Sequence, residues 1–170
     1  MVQENLNFLN HTMGLTMEER PIQEIAYDES LINSGDFFSI LRLDGIDPII
    51  MLASGSHVGH SVMALRMDGV LYIVESQGAW YWPQAGIQKT PYKQWIEWAK
   101  NADFNVVHMP LSAEARAKFN ESAAIEFYKK MEGLPYGYHN FLFGQFDTPT
   151  DNLPPLMPPG IVEIVLSLVE

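Results

Sequence analysis

The chain has 170 residues, of which 47% are hydrophobic and 12% aromatic, so it can form a packed core and is not expected to be disordered. Its 10 Lys and Arg residues against 21 Asp and Glu residues give a formal net charge of -11, which argues against nucleic acid and anionic lipid surfaces as partners. There is no cysteine, which excludes disulfides, thiolate metal sites and a thiol nucleophile within these residues.

Residues 1–33 show no sustained hydrophobic period and are interrupted by Pro21, so we predict an N-terminal arm. The opening residues lack the basic start and the apolar run of a signal peptide. No apolar run approaches the roughly 20 residues that a membrane span needs. Two Asn-x-Ser/Thr sequons, at Asn10 and Asn120, would accept glycans in a secretory pathway, so the cellular location stays open.

The core is predicted over residues 34–146, and its first half is rich in β-branched and aromatic residues. We predict a strand over 37–43 and a second strand in the short apolar run at 49–53. The segments HSVMALRM and VLYIVES are separated by Asp68-Gly69, which is a strong hairpin signal. The sequence therefore predicts a central hairpin over residues 60–76.

The second half of the core alternates helical and strand patterns. Thr90-Pro91 is typical of a helix N-cap and first residue, and this helix should continue to about Lys100. A strand follows in FNVVHMP, and then a helix capped by Ser112 that ends before Gly133. That helix carries an apolar stripe expected to pack on the sheet, formed by Phe119, Ala123, Phe127 and Met131. The predicted fold is α+β, with an antiparallel sheet of about five strands flanked by helices.

Beyond the core, residues 147–160 include five prolines, which predicts an extended linker. Residues 161–170, IVEIVLSLVE, are apolar on nearly every side of a helix. A helix of this kind is expected to be covered, by this domain, by further chain beyond Glu170 or by a partner protein.

The hairpin brings three polar side chains to one face. With Asp68 and Gly69 as the loop, Val62 lies opposite Glu75 and His60 lies opposite Gln77. A carboxylate or amide bonded to one imidazole nitrogen leaves the other nitrogen free to act as a general base. The alternative is a hydrogen-bonded histidine at a strand edge beside a solvated glutamate.

The order of SGDFF, GSHVGHSVMAL, LYIVES and GLPYGYHNF, over about residues 33–146, resembles the circularly permuted NlpC-type papain-like hydrolases. The resemblance implies a permuted papain-like fold in which His60 is the general base and Glu75, with Gln77 as second choice, is the third catalytic residue. It also implies that Tyr136 lines the cleft and that Asp36 has a structural role in the opening Gly-Asp turn. The family's nucleophilic cysteine, which comes last in this order, is absent, so the chain is expected to be a fragment or subunit that lacks its own nucleophile.

Two other functions remain open. A catalytically inactive binding or structural module would use Trp80, Tyr81 and Trp82, with Pro83, as an aromatic surface for a glycan, peptide or lipid tail, although these rings could equally form a cleft wall. His57, in the loop before the hairpin, is a further candidate binding residue. A metal site would need His57 to turn back toward His60 and Glu75. No metal and no cofactor is predicted.

Overall fold

A computed structural model of the chain describes residues 2–16, 27–43, 45–78 and 85–137. The helices are α1 (Val2–Met13), α2 (Asp47–Ser54), α3 (Tyr92–Asn101), α4 (Ala113–Lys118) and α5 (Glu121–Met131), with a short 3-10 helix over Glu29–Leu31. The strands are β1 (Phe37–Leu41), β2 (His60–Met67), β3 (Val70–Gln77), β4 (Gly86–Pro91) and β5 (Asn105–Met109). They form one antiparallel sheet in the order β4-β3-β2-β1-β5, which confirms the predicted α+β class.

The central hairpin forms in the predicted register. Met67 pairs with Val70, and the antiparallel ladder continues to Met63 opposite Val74. Asp68 and Gly69 both have positive φ angles, 51° and 79°, as a two-residue type I′ turn requires. The turn residues therefore set which side chains of β2 and β3 face the core.

One face of the sheet packs against α3. Side chains alternate along each strand, so every second residue of β1, β2 and β3 points toward this helix. The buried cluster consists of Ile32, Phe38, Ile40, Val62, Ala64, Leu71 and Ile73, with Tyr92, Trp95 and Ala99 from α3. This packing fixes the position of α3 over the hairpin.

The predicted strand at 49–53 is wrong, because these residues belong to helix α2. Pro48 lies in the first turn, and Gly55 takes a left-handed conformation directly after the last helical residue. Proline at the start and glycine after the end are the sequence signature of a helix. Asp47 is fully buried and forms an ion pair with the buried Arg42, which ties the start of α2 to the end of β1.

Strand β4 is the one strand of the sheet that the sequence interpretation did not predict. Thr90 belongs to this strand and not to a helix cap, and Pro91 occupies the N-cap position of α3 without a side-chain hydrogen bond. The predicted count of five strands is confirmed, but one of its members was placed at 49–53 instead of 86–91.

The predicted long helix after Ser112 is divided into α4 and α5. Ser112 caps α4 as expected, since its side chain accepts a hydrogen bond from the Ala115 backbone N–H. Asn120 then accepts from the backbone N–H of Ala123 at 3.0 Å and starts a new helix. The buried residue of α5 is Tyr128, whereas Phe127 of the predicted stripe is 64% exposed.

The N-terminal segment contains helix α1, although the sequence pattern predicted only an arm. The chain has two compact units, one of residues 1–75 and 89–130 and the other of residues 76–88 and 131–170. The predicted linker at 147–160 and the predicted helix at 161–170 lie outside the described residues. A helix able to span a membrane is not found in the described ranges.

Candidate active site

His60 stands at the first position of β2, and the backbone that leads into it is closely packed. A Cβ atom at Gly59 would lie 2.6 Å from the Cβ of Asp47, so only glycine fits between this loop and α2. The Gly59 backbone N–H also donates to the Ile40 carbonyl at 3.3 Å. These contacts fix the point at which the His60 side chain leaves the backbone.

His60 and Glu75 form a direct pair across the hairpin. The distance from His60 Nε2 to Glu75 Oε2 is 2.9 Å, and the two side chains are 10% and 3% exposed. Sequence spacing predicted this diagonal arrangement, and the structure brings the two residues within hydrogen-bonding distance. Because the pair is shielded from water, its interaction is screened less than that of a surface pair.

Trp95 of α3 holds the other oxygen of the same carboxylate. Its indole Nε1–H donates to Glu75 Oε1 at 3.0 Å, and its ring lies 6.0 Å from the ring of Phe38. Glu75 is therefore oriented by a hydrogen-bond partner on each of its two oxygens. The sequence interpretation placed Trp95 and Trp98 on one face of this helix but missed this contact.

The arrangement determines which imidazole nitrogen carries the proton. An ionised carboxylate only accepts hydrogen bonds, so Glu75 favours the tautomer in which His60 Nε2 is protonated. Nδ1 then keeps its lone pair, and no hydrogen bond to Nδ1 is found among the residues that the structure describes. The pair therefore has the geometry of a general base and its orienting residue.

The chain is similar to a solved structure. It is the crystal structure of the metalloprotein yiiX from Escherichia coli O157:H7, DUF1105, at 20% identity and a TM-score of 0.46. The match covers 79% of this chain and 64% of that chain, so this chain spans less than two thirds of that protein's length. No family model and no curated protein matches the chain. A similarity at this level leaves the function to be argued from the site itself.

The other predicted site residues differ in position and exposure. His57 is exposed in the loop before β2, and Gln77 is buried at the end of β3. Tyr136 is half-buried, and its predicted role in the cleft stays a prediction. Trp80 and Trp82 lie outside the described residues. Within the described ranges, no group of three His, Cys, Asp or Glu side chains is placed to hold a metal ion.

A second histidine and carboxylate meet elsewhere on the sheet, and the sequence interpretation did not pair them. His108 Nε2 of β5 lies 3.1 Å from Asp36 Oδ2, and its Nδ1 lies 2.5 Å from the Tyr27 hydroxyl. Both nitrogens of His108 are thus engaged, whereas His60 has one without a described partner. The sequence contains no local pattern that pairs His108 with Asp36, because the two residues are 72 positions apart.

Asp36 has the structural role that was expected of it. It is fully buried and accepts from the backbone N–H groups of Asn33 and Leu111 at 2.8 and 2.9 Å, and from Arg116. Burial alone would raise the pKa of this carboxyl, but the hydrogen bonds and the Arg116 charge outweigh it, so the pKa lies below its ordinary value. The carboxylate therefore stays ionised and ties the Gly-Asp turn to β5 and α4.

We expect Trp95→Phe to lower the free energy of unfolding by about 2 kcal/mol, because Glu75 loses a donor at a buried position and a small cavity forms. Urea unfolding followed by circular dichroism measures the change. The matched control is the same substitution in a Glu75→Leu background, where the Trp95 indole has no carboxylate to donate to. An equal loss in both backgrounds would mean that the bond to Glu75 adds nothing to stability.

Proposed function

We propose that the chain is the histidine and carboxylate part of a permuted papain-like hydrolase that acts on amide or acyl bonds. In this proposal His60 is the general base, Glu75 is its orienting residue, and a thiol from outside these 170 residues is the nucleophile. The observation that supports it most is the 2.9 Å pair between His60 Nε2 and Glu75 Oε2, with Nδ1 left without a described partner. Gln77 remains the second choice for the orienting role.

The chemistry follows from the proton positions. A thiol within about 3 Å of His60 Nδ1 gives its proton to that nitrogen as its sulfur attacks the carbonyl carbon. The imidazolium that forms is stabilised by the ionised Glu75, which keeps its charge throughout. His60 then gives the proton to the leaving amine or alcohol, and a water molecule activated by the same nitrogen releases the acyl group from sulfur.

A thiol suits this site better than a hydroxyl of the chain. A thiol is already a few per cent ionised near neutral pH, so one oriented imidazole is enough to activate it. A serine hydroxyl needs a closely positioned base and a preorganised oxyanion site. No serine or threonine hydroxyl is hydrogen-bonded to His60 among the described residues, which favours an external nucleophile.

The test uses the product of the complete gene at its natural length, purified with any protein that accompanies it. We expect iodoacetamide to alkylate one thiol of this material rapidly at about pH 6, where an ordinary thiol is almost entirely protonated. His60→Ala should slow this reaction by at least about tenfold, because the imidazole that keeps the thiol ionised has been removed. The rate is measured by mass spectrometry of the alkylated peptide.

His57→Ala is the matched control, because it removes a histidine three positions away that is exposed. Its alkylation rate should equal that of the unaltered protein. The proposal is wrong if no thiol reacts faster than free cysteine, or if His60→Ala reacts at the unaltered rate.

A binding or structural module on the same fold is the second candidate, and the absence of cysteine favours it. In that case the buried His60 and Glu75 pair would hold β2 and β3 together without chemistry. The same experiment separates the two functions, because a complete gene product and its partners without any reactive thiol would leave the binding module as the better account.

A further inference from the structure

The second histidine and carboxylate pair ends in an exposed phenol. His108 Nδ1 lies 2.5 Å from the Tyr27 hydroxyl, and His108 Nε2 lies 3.1 Å from Asp36 Oδ2. The three side chains therefore form a continuous hydrogen-bonded chain of phenol, imidazole and carboxylate. This is the order of nucleophile, base and orienting residue in acyl-transfer sites.

The direction of these hydrogen bonds is set by Asp36. Its carboxylate is fully buried and ionised, so it accepts a hydrogen bond from His108 Nε2–H. His108 Nδ1 consequently carries the lone pair, and the Tyr27 hydroxyl donates to it. Arg116 also binds Asp36, which keeps the carboxylate from taking up the proton itself.

Packing holds the imidazole in this orientation. The ring of Phe38 stacks on His108 with centroids 4.9 Å apart and an interplanar angle of 28°. The ring of Tyr27 meets the same imidazole edge-on, at 5.2 Å and 74°. A base that is held between two rings loses little orientational freedom when it accepts a proton.

Exposure increases from the carboxylate to the phenol. Asp36 is fully buried, the His108 side chain is 10% exposed, and Tyr27 is 40% exposed. The base and its orienting residue are therefore shielded from water, while Tyr27 is an exposed residue.

We propose that Tyr27 is a nucleophilic phenol, activated by His108 and Asp36, and that it is a site of covalent modification by activated acyl and sulfonyl groups. In the step, Tyr27 Oη forms a bond to the electrophilic carbon or sulfur and the bond to the leaving group breaks. The phenolic proton moves to His108 Nδ1, and the imidazolium returns it to the leaving group or to solvent. This site shares no residue with His60 and Glu75, so it does not depend on the function proposed above.

The test measures sulfonylation of Tyr27 by benzenesulfonyl fluoride, which releases fluoride and leaves a stable sulfonate ester. N-acetyltyrosinamide in the same solution is the reference for an exposed phenol without a base. General-base assistance is typically worth one hundredfold or more, so we expect Tyr27 to react at least about tenfold faster than the reference near pH 7. Peptide mass spectrometry locates the label, and Tyr27→Phe should abolish it. A ratio below tenfold overturns the proposal.

His108→Gln separates activation from structure. A glutamine can donate to Asp36 and accept from Tyr27, as the imidazole does, but it cannot take up a proton. We expect this variant to stay folded by near-ultraviolet circular dichroism and to lose at least about fivefold in labelling rate. His11→Gln is the control, because it is exposed on α1 and should leave the rate unchanged. A smaller loss in His108→Gln also overturns the proposal. If that variant unfolds, the proposal is tested by the ratio of the Tyr27 labelling rate to that of N-acetyltyrosinamide.

Discussion

Replacing Glu75 by glutamine should move the proton of His60 from Nε2 to Nδ1. The carboxylate accepts from the Trp95 indole N–H on one oxygen and faces His60 Nε2 with the other. An amide has a single oxygen, and an indole N–H can only donate, so the glutamine must turn its oxygen toward Trp95. Its NH₂ group then faces His60 and donates to Nε2.

Nitrogen-15 NMR of the imidazole distinguishes the two tautomers directly, without any assay of activity. If the proposed thiol chemistry is correct, Glu75→Gln should also slow alkylation, by about as much as His60→Ala does, because Nδ1 no longer has a lone pair to accept the proton. An unchanged tautomer would show that Glu75 does not orient the base.

The double variant Glu75→Gln with Trp95→Phe tests whether the Trp95 indole N–H orients the amide of residue 75. Without the indole N–H, residue 95 no longer competes for the glutamine oxygen, so that oxygen should face His60 and the original tautomer should return. The two changes are therefore expected to be strongly non-additive, as is typical of residues in one hydrogen-bond network. If the tautomer stays inverted in the double variant, Trp95 does not set the orientation of residue 75.

Asp36→Asn is expected to lower the free energy of unfolding by about 3 kcal/mol. The amide offers one oxygen where the carboxylate satisfies several donors, and Arg116 loses its buried charge partner. The estimate is at the lower end for a broken buried pair because the Arg116 side chain is 32% exposed. Urea unfolding near pH 7 measures the loss.

The loss should depend on pH in a defined direction. The folded-state pKa of Asp36 lies below its ordinary value, so its stabilising contribution is complete at neutral pH. That contribution is lost as the pH falls below about 4 and approaches the lower folded-state value. The difference between the unaltered protein and Asp36→Asn should therefore shrink in acid.

Asp68→Asn is the matched control, because Asp68 is an exposed residue of the hairpin turn with a positive φ angle that asparagine also adopts. It should change the free energy of unfolding by less than about 0.5 kcal/mol at any pH. A similar loss in both variants would show that the hydrogen bonds of Asp36 do not account for its effect.

Local patterns in the sequence predicted the features that depend on neighbouring residues. Asp68-Gly69 fixed the hairpin register, and alternation along the two strands then placed His60 and Glu75 on one face. The helix cap at Ser112 was predicted for the same reason. The prediction was wrong where two local patterns competed. The apolar run at 49–53 is compatible with a strand or a helix, and Pro48 at its start and Gly55 after its end favour the helix.

Contacts between distant segments were not predictable in this way. Trp95 is 20 positions from Glu75, and His108 is 72 positions from Asp36. No period or motif records that α3 lies over the hairpin or that β5 pairs with β1.

By itself, the sequence determined the absence of a thiol, the α+β class and the diagonal pairing of one imidazole with one carboxylate. Each of these depends on composition or on residues joined by a two-residue turn. Only the tertiary structure decided which donor holds the second oxygen of Glu75, and which imidazole has both nitrogens occupied, because packing between non-adjacent elements sets those contacts.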